Sequence, residues 1–257
     1  MGFVFPEERR REIMAILHRD GRCLVAKLSK ALEVSEVTIR QDLDQLEKEG
    51  LLRRTHGGAI PVAPIAQERP FQVEESSHRA EKERIAEAAV GLISNGDTVI
   101  LDVGTTVTEA ARRLVAQKKT STVFTNGLNI AAILETDPEI TTILTGGTLR
   151  AKQHSLVNPF AHFILDRIHA DIAFIGISGI EADHGITNVN VAEAEMKALF
   201  VKNAHRRVVL ADSTKVGKVA LAKVADVEEV DTLITDRGAD RDEIGLLRER
   251  GLEVILV

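Results

Sequence analysis

The sequence predicts a two-domain protein, in which a small, mainly helical domain precedes a larger α/β domain with a mostly parallel sheet. Between residues 24 and 59, apolar residues recur at helical spacing and lead into a short basic hairpin tipped with glycine. From residue 98 onward, short β-branched runs alternate with helical segments, which is typical of a parallel sheet covered by helices on both faces. The 257 residues and 44% hydrophobic content suffice for about two packed cores.

The first domain is predicted to begin with three helices. Pro6, followed by two glutamates, suits the first turn of a helix. Ser35 suits the N-cap of the third helix, which we expect to continue to Leu46. The apolar residues expected on the inner faces of the first and second helices are Ile13, Ile16 and Leu17, and Leu24, Leu28 and Leu32.

The third predicted helix divides into two faces. Ile39, Leu43 and Leu46 recur at positions i, i+4 and i+7, so they point toward the domain core. The opposite face carries side chains that can hydrogen-bond base edges or phosphates, or contact a thymine methyl group. These are Val37, Arg40, Gln41 and Asp44, with Thr38 beside them.

A basic hairpin from Leu51 to Ala59 follows, and its arginines are placed to neutralise phosphates. Two short helices, a tight turn and such a hairpin, in this order, are the parts of a winged helix-turn-helix, whose second helix enters the DNA major groove. An ordinary amphipathic helix pair with a solvated polar face is the alternative, and the order of cap, turn and hairpin favours DNA binding. The residues predicted to contact double-stranded operator DNA are Ser35, Val37, Thr38, Arg40, Gln41, Arg53, Arg54 and His56.

Charge and composition limit the other possibilities. Residues 1–60 carry 11 Lys and Arg against 10 Asp and Glu, a net charge of +1, and the remainder carries 22 against 29, a net charge of −7. DNA affinity must therefore come from placed arginines and from dimerisation rather than from a broad basic field. The lone cysteine, Cys23, is expected to be a small buried residue at the start of the second helix, in a reducing compartment. With no apolar run near 20 residues and no signal peptide, we expect a soluble, cytoplasmic protein that contacts no membrane.

The rest of the chain is predicted to consist of a linker and then a regular alternation of elements. Three prolines punctuate residues 61–77, the expected linker, and a charged helix follows from His78 to Ile93. Residues 78–257 would form the effector-binding and oligomerisation domain, of a homodimer or homotetramer. The expected strands cover residues 98–102, 122–126, 140–144, 171–177, 208–212, 232–235 and 254–257.

Small and hydrogen-bonding residues recur at the ends of these strands, where ligands bind in parallel α/β folds. Glycine permits close approach of the backbone, and a helix N-terminus with nearby hydroxyls favours an anion. The strand ends therefore predict an anionic small-molecule site. Its expected residues are Asp102, Gly104, Thr105, Thr106, Thr125, Asn126, Gly146, Gly147, His154, Lys197, Asp212 and Lys215, with Lys215 preferred as the cation and Lys197 second.

Other binding motifs are missing from the sequence. It contains no G-x-G-x-x-G and no Walker A motif, and the eight histidines show no metal-ligand spacing. We expect no cofactor and no metal.

The motifs together resemble those of the DeoR family of bacterial sugar-metabolism regulators. The similarity runs from Thr38-Ile39-Arg40 and Arg54-Thr55-His56-Gly57-Gly58-Ala59 through Asp102-x-Gly104-Thr105-Thr106 to Asp212-Ser213-Thr214-Lys215. The chain departs from the family at Gln41, where arginine is common, and at Asn158, where glycine is frequent. The resemblance implies a transcriptional repressor released from its operator by a phosphorylated sugar or a related metabolite.

The second domain also resembles the ribose-5-phosphate isomerase and glucosamine-6-phosphate deaminase superfamily. The alternative is therefore a sugar-phosphate enzyme carrying a DNA-binding head. That chemistry needs carboxylates to move protons, and Ile175, Ser178 and Met196 stand where acidic residues would be expected. These differences favour binding without catalysis, while Glu193 and Glu195 keep the alternative open.

Overall fold

The chain divides into two units, Met1–Gln67 and Glu68–Val257. The structure, a computed structural model, describes residues 6–20, 22–48, 51–55, 57–61 and 68–257. Among these residues, no helix combines the length and apolar character needed to cross a membrane.

The first unit contains three helices and a small antiparallel sheet. Its helices are α1 (Pro6–Asp20), α2 (Val25–Ala31) and α3 (Glu36–Lys48), and its strands are β1 (Cys23–Leu24), β2 (Leu52–Thr55) and β3 (Gly58–Pro61), in the order β1-β3-β2. The backbone N–H of Thr38 donates to Ser35 Oγ at 3.2 Å, so the predicted N-cap of α3 is confirmed. Ile13, Leu17, Leu28, Ile39, Leu43 and Leu52 form the fully buried part of the core.

The start of the second helix differs from the prediction. Cys23 and Leu24 pair with Ala59 and Gly58 in the sheet, so the helix begins only at Val25. Leu24 is therefore 39% exposed, and Val25 takes its place in the core beside Leu28 and Leu32. Cys23 is buried as expected, but in a strand rather than at a helix start.

The second unit is an α/β domain built on a sheet of seven parallel strands, in which all the predicted strands are present. Its strands are β4 (Thr98–Leu101), β5 (Ser121–Thr125), β6 (Ile140–Leu144), β9 (Ala170–Gly176), β12 (Ala204–Leu210), β14 (Thr232–Thr235) and β15 (Glu253–Leu256). Their order across the sheet is β15-β14-β12-β9-β4-β5-β6. The helices are α4 (Phe71–Ser76), α5 (Arg79–Gly91), α6 (Thr105–Ala116), α7 (Leu128–Leu134), α8 (Ala161–Leu165), α9 (Val191–Lys202) and α10 (Arg241–Glu249).

Two hydrophobic clusters cover the faces of this sheet. Successive residues of a strand point to opposite faces, so Ile100 belongs to one cluster while Val99 and Leu101 belong to the other. In β9, Phe174 and Ala173 divide in the same way. Burial on both faces explains why the strands read as continuous apolar runs in the sequence.

The strand order creates a switch point between β4 and β9. From β4 the chain proceeds outward to β5 and β6, and it returns to β9 on the other side of β4 before continuing to β12, β14 and β15. Adjacent loops leave the carboxyl ends of β4 and β9 in opposite directions, which opens a crevice there.

Additional short strands, which the sequence analysis did not identify, flank this edge. They are the hairpin β7 (Thr148–Arg150) with β8 (Ser155–Val157), and a sheet of β10 (Gly179–Glu181), β11 (Gly185–Asn188) and β13 (Ala222–Ala225). Segments of three or four residues are too short for a period-2 pattern to stand out.

The expected linker, residues 61–77, is also more structured than the sequence suggested. Residues 62–67 lie outside the described residues, whereas α4 occupies Phe71–Ser76 and belongs to the second unit. Phe71 is only 4% exposed, and the burial of this one large side chain holds the short helix against the domain.

Gly146 and Gly147, which directly precede the β7–β8 hairpin, provide a test of the fold. A Cβ on Gly147, whose φ is +121°, would lie 2.3 Å from the carbonyl oxygen of Val157, whereas a Cβ on Gly146, whose φ is +70°, meets nothing within 4 Å. We expect Gly146→Ala to cost about 1–2 kcal/mol from backbone strain alone, and Gly147→Ala to cost about 3 kcal/mol or more because the clash is with backbone. Chemical denaturation of both variants measures the difference, and equal losses would contradict this geometry.

Candidate DNA-binding surface and effector site

The outward face of α3 is the predicted DNA-reading surface. Val37 is 61% exposed, and Arg40, Gln41 and Asp44 are exposed beside it. The predicted inward face is fully packed, since Ile39, Leu43 and Leu46 are 0–3% exposed. At the start of the helix, Thr38 is half-buried, with its hydroxyl 2.9 Å from that of Ser35.

The arginines near α3 differ in what they contact. Arg40 Nη2 lies 2.8 Å from Glu36 Oε2 across an exposed helix turn, which leaves the guanidinium accessible to solvent. Arg54 lies across the face of α3, with Nε 3.2 Å from Asp44 Oδ1, so it ties the hairpin to the helix. Arg53, the preceding residue of β2, is exposed.

Arg54 therefore has a structural contact that the sequence did not indicate, and Arg53 is the more exposed of the two. His56 lies outside the described residues.

At the switch point, a buried ion pair lies between the carboxyl ends of β4 and β9. Lys197 Nζ, from α9, donates to Asp102 Oδ2, and the backbone N–H of Gly176 donates to the same oxygen at 3.0 Å. Asp102 is 0% exposed and Lys197 is 2% exposed. Asp102 Oδ1 has no hydrogen-bond partner among the described residues. The pair therefore leaves one buried carboxylate oxygen without a hydrogen bond among the described residues.

Burial dominates the electrostatics of Asp102. It raises the pKa of this carboxyl from 3.8 to about 6, because desolvation of the ionised form outweighs the opposing effect of Lys197. Glu193 also raises this pKa, which shows that a second carboxylate lies within electrostatic reach.

Three further predicted residues shape the same crevice. Gly104 has a φ of +149° and precedes α6, and a Cβ there would come within 3.7 Å of the Gly176 Cα. No side chain caps α6, whose first residues are Thr105 and Thr106, so the N–H groups of its first turn carry no capping oxygen. This arrangement suits an anion.

The next strand end is occupied with structural hydrogen bonds. Asn126 is fully buried, and its Oδ1 accepts from the Val103 N–H at 2.9 Å while its Nδ2 donates to the Leu156 carbonyl at 3.3 Å. Thr125 Oγ1 accepts from the Gly127 N–H at 3.0 Å. These two residues hold the loops around the crevice in place.

The remaining predicted residues are spread around this edge. His154 stacks edge-on against Phe71, with ring centroids 5.3 Å apart, so its ring is engaged within the domain. Asp212 Oδ1 accepts from the Thr214 N–H at 3.0 Å and fixes the turn that follows β12. Lys215, on that turn, lies with its Nζ 3.4 Å from Glu74 Oε2.

Three charged residues at this edge, Glu193, Arg150 and Lys82, were not predicted as effector-site residues, although Glu193 was named for the enzyme alternative. Glu193 is 6% exposed, accepts from Ser155 Oγ at 2.6 Å and pairs with Arg150. Lys82 is 4% exposed, donates to the Ser77 carbonyl at 2.7 Å and lines a cavity of about 370 Å³ together with Thr105. Burial lowers the pKa of Lys82, and nearby Asp212 and Glu74 oppose that effect. A lysine within a charged helix pattern gave no sequence signal for such a position.

Residues that were considered for the enzyme alternative have structural roles. Met196 is fully buried in the core. Glu193 is held in the network with Arg150 and Ser155, and Glu195 Oε2 accepts from Asn158 Nδ2 at 2.6 Å. The described residues contain no group of three or more His, Cys, Asp or Glu side chains suited to hold a metal ion.

The raised pKa of Asp102 predicts a pH dependence. The folded state binds a proton at about pH 6, whereas the unfolded chain does so near 3.8, so the contribution of Asp102 to stability increases as the pH falls from 7 toward 4. We expect the stability of wild type relative to Asp102→Asn to increase over that range, because asparagine does not titrate. Urea unfolding of both proteins at pH 7, 6 and 5 measures it. A constant difference would show that Asp102 titrates normally.

Comparison with known proteins gives consistent matches over both units. Residues 9–63 match the DeoR-like helix-turn-helix domain, and residues 77–237 match the DeoR C terminal sensor domain. The chain is 37% identical over 254 residues to the HTH-type transcriptional regulator GlpR of Haloferax volcanii, covering 98% of each chain. It is 34% identical to the HTH-type transcriptional regulator GolR of Listeria innocua, again covering 98% of each. It is 37% identical to a putative aga operon transcriptional repressor of Escherichia coli O157:H7, covering 97% of this chain and 93% of that one.

Solved structures match more loosely. A ribose 5-phosphate isomerase A from Methanocaldococcus jannaschii aligns with a TM-score of 0.41 and 21% identity, covering 54% of this chain and 55% of that one. A similarity of this size supports no functional conclusion. The matches to both domain families, and to regulators over nearly their full length, show that the chain belongs to the DeoR family of DNA-binding transcriptional regulators.

Proposed function

We propose that this regulator is a repressor of a sugar-metabolism operon, and that a phosphorylated sugar or related metabolite, bound at the carboxyl edge of the sheet, controls its affinity for operator DNA. The observation that carries the proposal is the switch-point crevice. There, the uncapped N-terminus of α6 lies beside the buried Asp102–Lys197 pair. The names of the relatives support repression, since one is described as a putative aga operon transcriptional repressor.

The crevice offers different chemistry to the two ends of such a ligand. A phosphate group carries roughly two negative charges and needs N–H donors and a cation. The first turn of α6 supplies the donors, and Lys215 is the proposed cation. Asp102 Oδ1, a buried acceptor without a partner among the described residues, suits a ligand hydroxyl, since a hydroxyl can donate and a phosphate at neutral pH repels a carboxylate.

Each of the two domains is assigned a separate function. In this proposal residues 1–60 bind DNA and residues 78–257 bind the effector and form a homodimer or homotetramer. A helix-turn-helix dimer needs two recognition helices about 34 Å apart. An effector that binds the DNA-competent and DNA-incompetent states unequally shifts the population between them. A small rotation of the paired DNA-binding units is then sufficient to release the operator.

The enzyme alternative is not supported. The relatives are DNA-binding regulators over nearly their full length. In addition, Glu193 is held by Arg150 and Ser155, and Met196 occupies the position of the expected base. The chain is a regulator rather than an isomerase or deaminase.

Two arginines test the DNA-binding surface. We expect Arg40→Ala to reduce specific binding by about 1–3 kcal/mol if its guanidinium contacts a base. We expect Arg53→Ala to weaken binding to all sequences alike and to reduce the salt slope by about one. Fluorescence anisotropy on a DNA site selected from a random pool, at several salt concentrations, measures both. Arg84→Ala, an exposed arginine of the second unit, is the control. Wild-type affinity and slope in both variants would rule out this surface.

Two further variants test the effector site. Thr105→Ala and Lys215→Ala should leave folding and operator binding intact and abolish release of the DNA by the metabolite, because each removes part of the phosphate site. A thermal-shift screen of phosphorylated sugars identifies the ligand, which is then titrated against the protein–DNA complex. Lys223→Ala, an exposed lysine of the same unit, serves as the control. Release of all complexes at the same concentration, or equal release by the unphosphorylated sugar, would overturn the assignment.

A further inference from the structure

We propose that residues 68–76, called the acidic strap here, compete with an anionic effector for Lys215, so that binding of the anion releases the second half of the strap, residues 72–76, from the carboxyl edge of the sheet. The inference rests on the proposed function, because it assumes that Lys215 binds the anion. It adds a regulatory contact within the second unit that the ligand must replace.

The first half of the strap is attached to the region of the β7–β8 hairpin. Phe71 is buried against the His154 ring, and its backbone N–H donates to the Lys152 carbonyl at 3.2 Å. Gln153 Nε2 donates to the Arg69 carbonyl at 2.7 Å. This half therefore has an apolar anchor and backbone hydrogen bonds, neither of which depends on Lys215.

The second half carries two carboxylates that meet basic side chains, whereas Glu68 in the first half pairs with Arg150. Glu74 Oε2 lies 3.4 Å from Lys215 Nζ, and Glu75 Oε1 lies 2.6 Å from Arg112 Nη2. Lys82 donates to the carbonyls of Glu74 and Ser77, which fixes the end of α4 next to these pairs. Glu74 is thus held in place to neutralise the cation that we assign to the anion.

Charge makes the two partners of Lys215 mutually exclusive. Lys215 and Glu74 are each 26% exposed in their side chains, so the pair is partly shielded from water. A phosphate on Lys215 would place roughly two more negative charges beside the Glu74 carboxylate, which is unfavourable at that distance. A single carboxylate offers less charge than a phosphate, so the phosphate displaces it.

The surrounding lysines make this position attractive to an anion once Glu74 leaves. Lys82 and Lys218 lie within electrostatic reach of Lys215, and burial together with Lys215 lowers the pKa of both. Glu74 has the opposite effect on both lysines, since its negative charge favours their protonated forms. Without Glu74, less negative charge balances the amino groups of Lys82, Lys215 and Lys218. A bound anion restores that balance.

Glu74→Gln tests the competition, with Glu75→Gln as a matched control on the same helix. The probe is inorganic phosphate, titrated into the full-length protein at constant ionic strength and followed by calorimetry. We expect Glu74→Gln to bind phosphate about 3–10 times more tightly than wild type, because the competing carboxylate is gone. Glu75→Gln should bind as wild type does, since it pairs with Arg112. Adding Lys215→Ala to Glu74→Gln should remove the gain.

Hydrogen exchange tests release of the strap directly. Peptides covering residues 72–77 should exchange faster in wild type at saturating phosphate, and the same peptides in Glu74→Gln should exchange faster without phosphate. Slower or unchanged exchange in wild type on phosphate binding would overturn the inference, as would equal phosphate affinity in wild type and Glu74→Gln.

The two proposals fail in distinguishable ways. If phosphate binds wild type and Lys215→Ala equally, the anion site itself is misassigned and the proposed function fails. If binding depends on Lys215 but Glu74→Gln brings no gain, the anion site stands and the strap competition is wrong.

Discussion

The buried ion pair between Asp102 and Lys197 is the constraint on which the rest of the second unit depends. Asp102, in the loop after β4, accepts hydrogen bonds from Lys197 of helix α9 and from the N–H of Gly176 in β9. One carboxylate therefore links three segments at the switch point. Removing water from both charges is costly, and the close pairing and the added hydrogen bond offset only part of that cost. An ion pair in such a position fixes geometry more than it stabilises the fold.

This ion pair lies where the strand order opens the sheet, at the proposed effector site. Gly104 adopts a φ of +149°, which residues with a side chain rarely adopt, and the helix that follows begins without a side-chain cap. Asn126 holds the neighbouring loop through the Val103 N–H. The crevice is therefore shaped by residues that are themselves buried, which keeps the donors of α6 oriented before any ligand arrives.

The parts that the sequence predicted well are those with a strong local pattern. The strands of the parallel sheet are continuous β-branched runs, and α3 combines a serine cap with apolar residues at i, i+4 and i+7, so both were identified close to their observed bounds. Leu24 was misplaced because a two-residue strand has no periodicity, and pairing with Gly58 is a long-range effect. The site residues at strand ends came from topology alone. The ion pairs of Arg54 with Asp44 and of Lys215 with Glu74 join distant segments, which no local pattern shows.

The central claim is that the strand-edge site and the DNA-binding surface are energetically coupled. Linkage requires the coupling to be reciprocal: if the metabolite weakens DNA binding by a given factor, DNA must weaken metabolite binding by the same factor. The most direct measurement is calorimetric titration of the phosphorylated sugar into the protein, free and saturated with operator DNA. We expect the dissociation constant of the sugar to be larger in the DNA complex, by the same factor by which the sugar weakens DNA binding. Equal dissociation constants in the two titrations would contradict it.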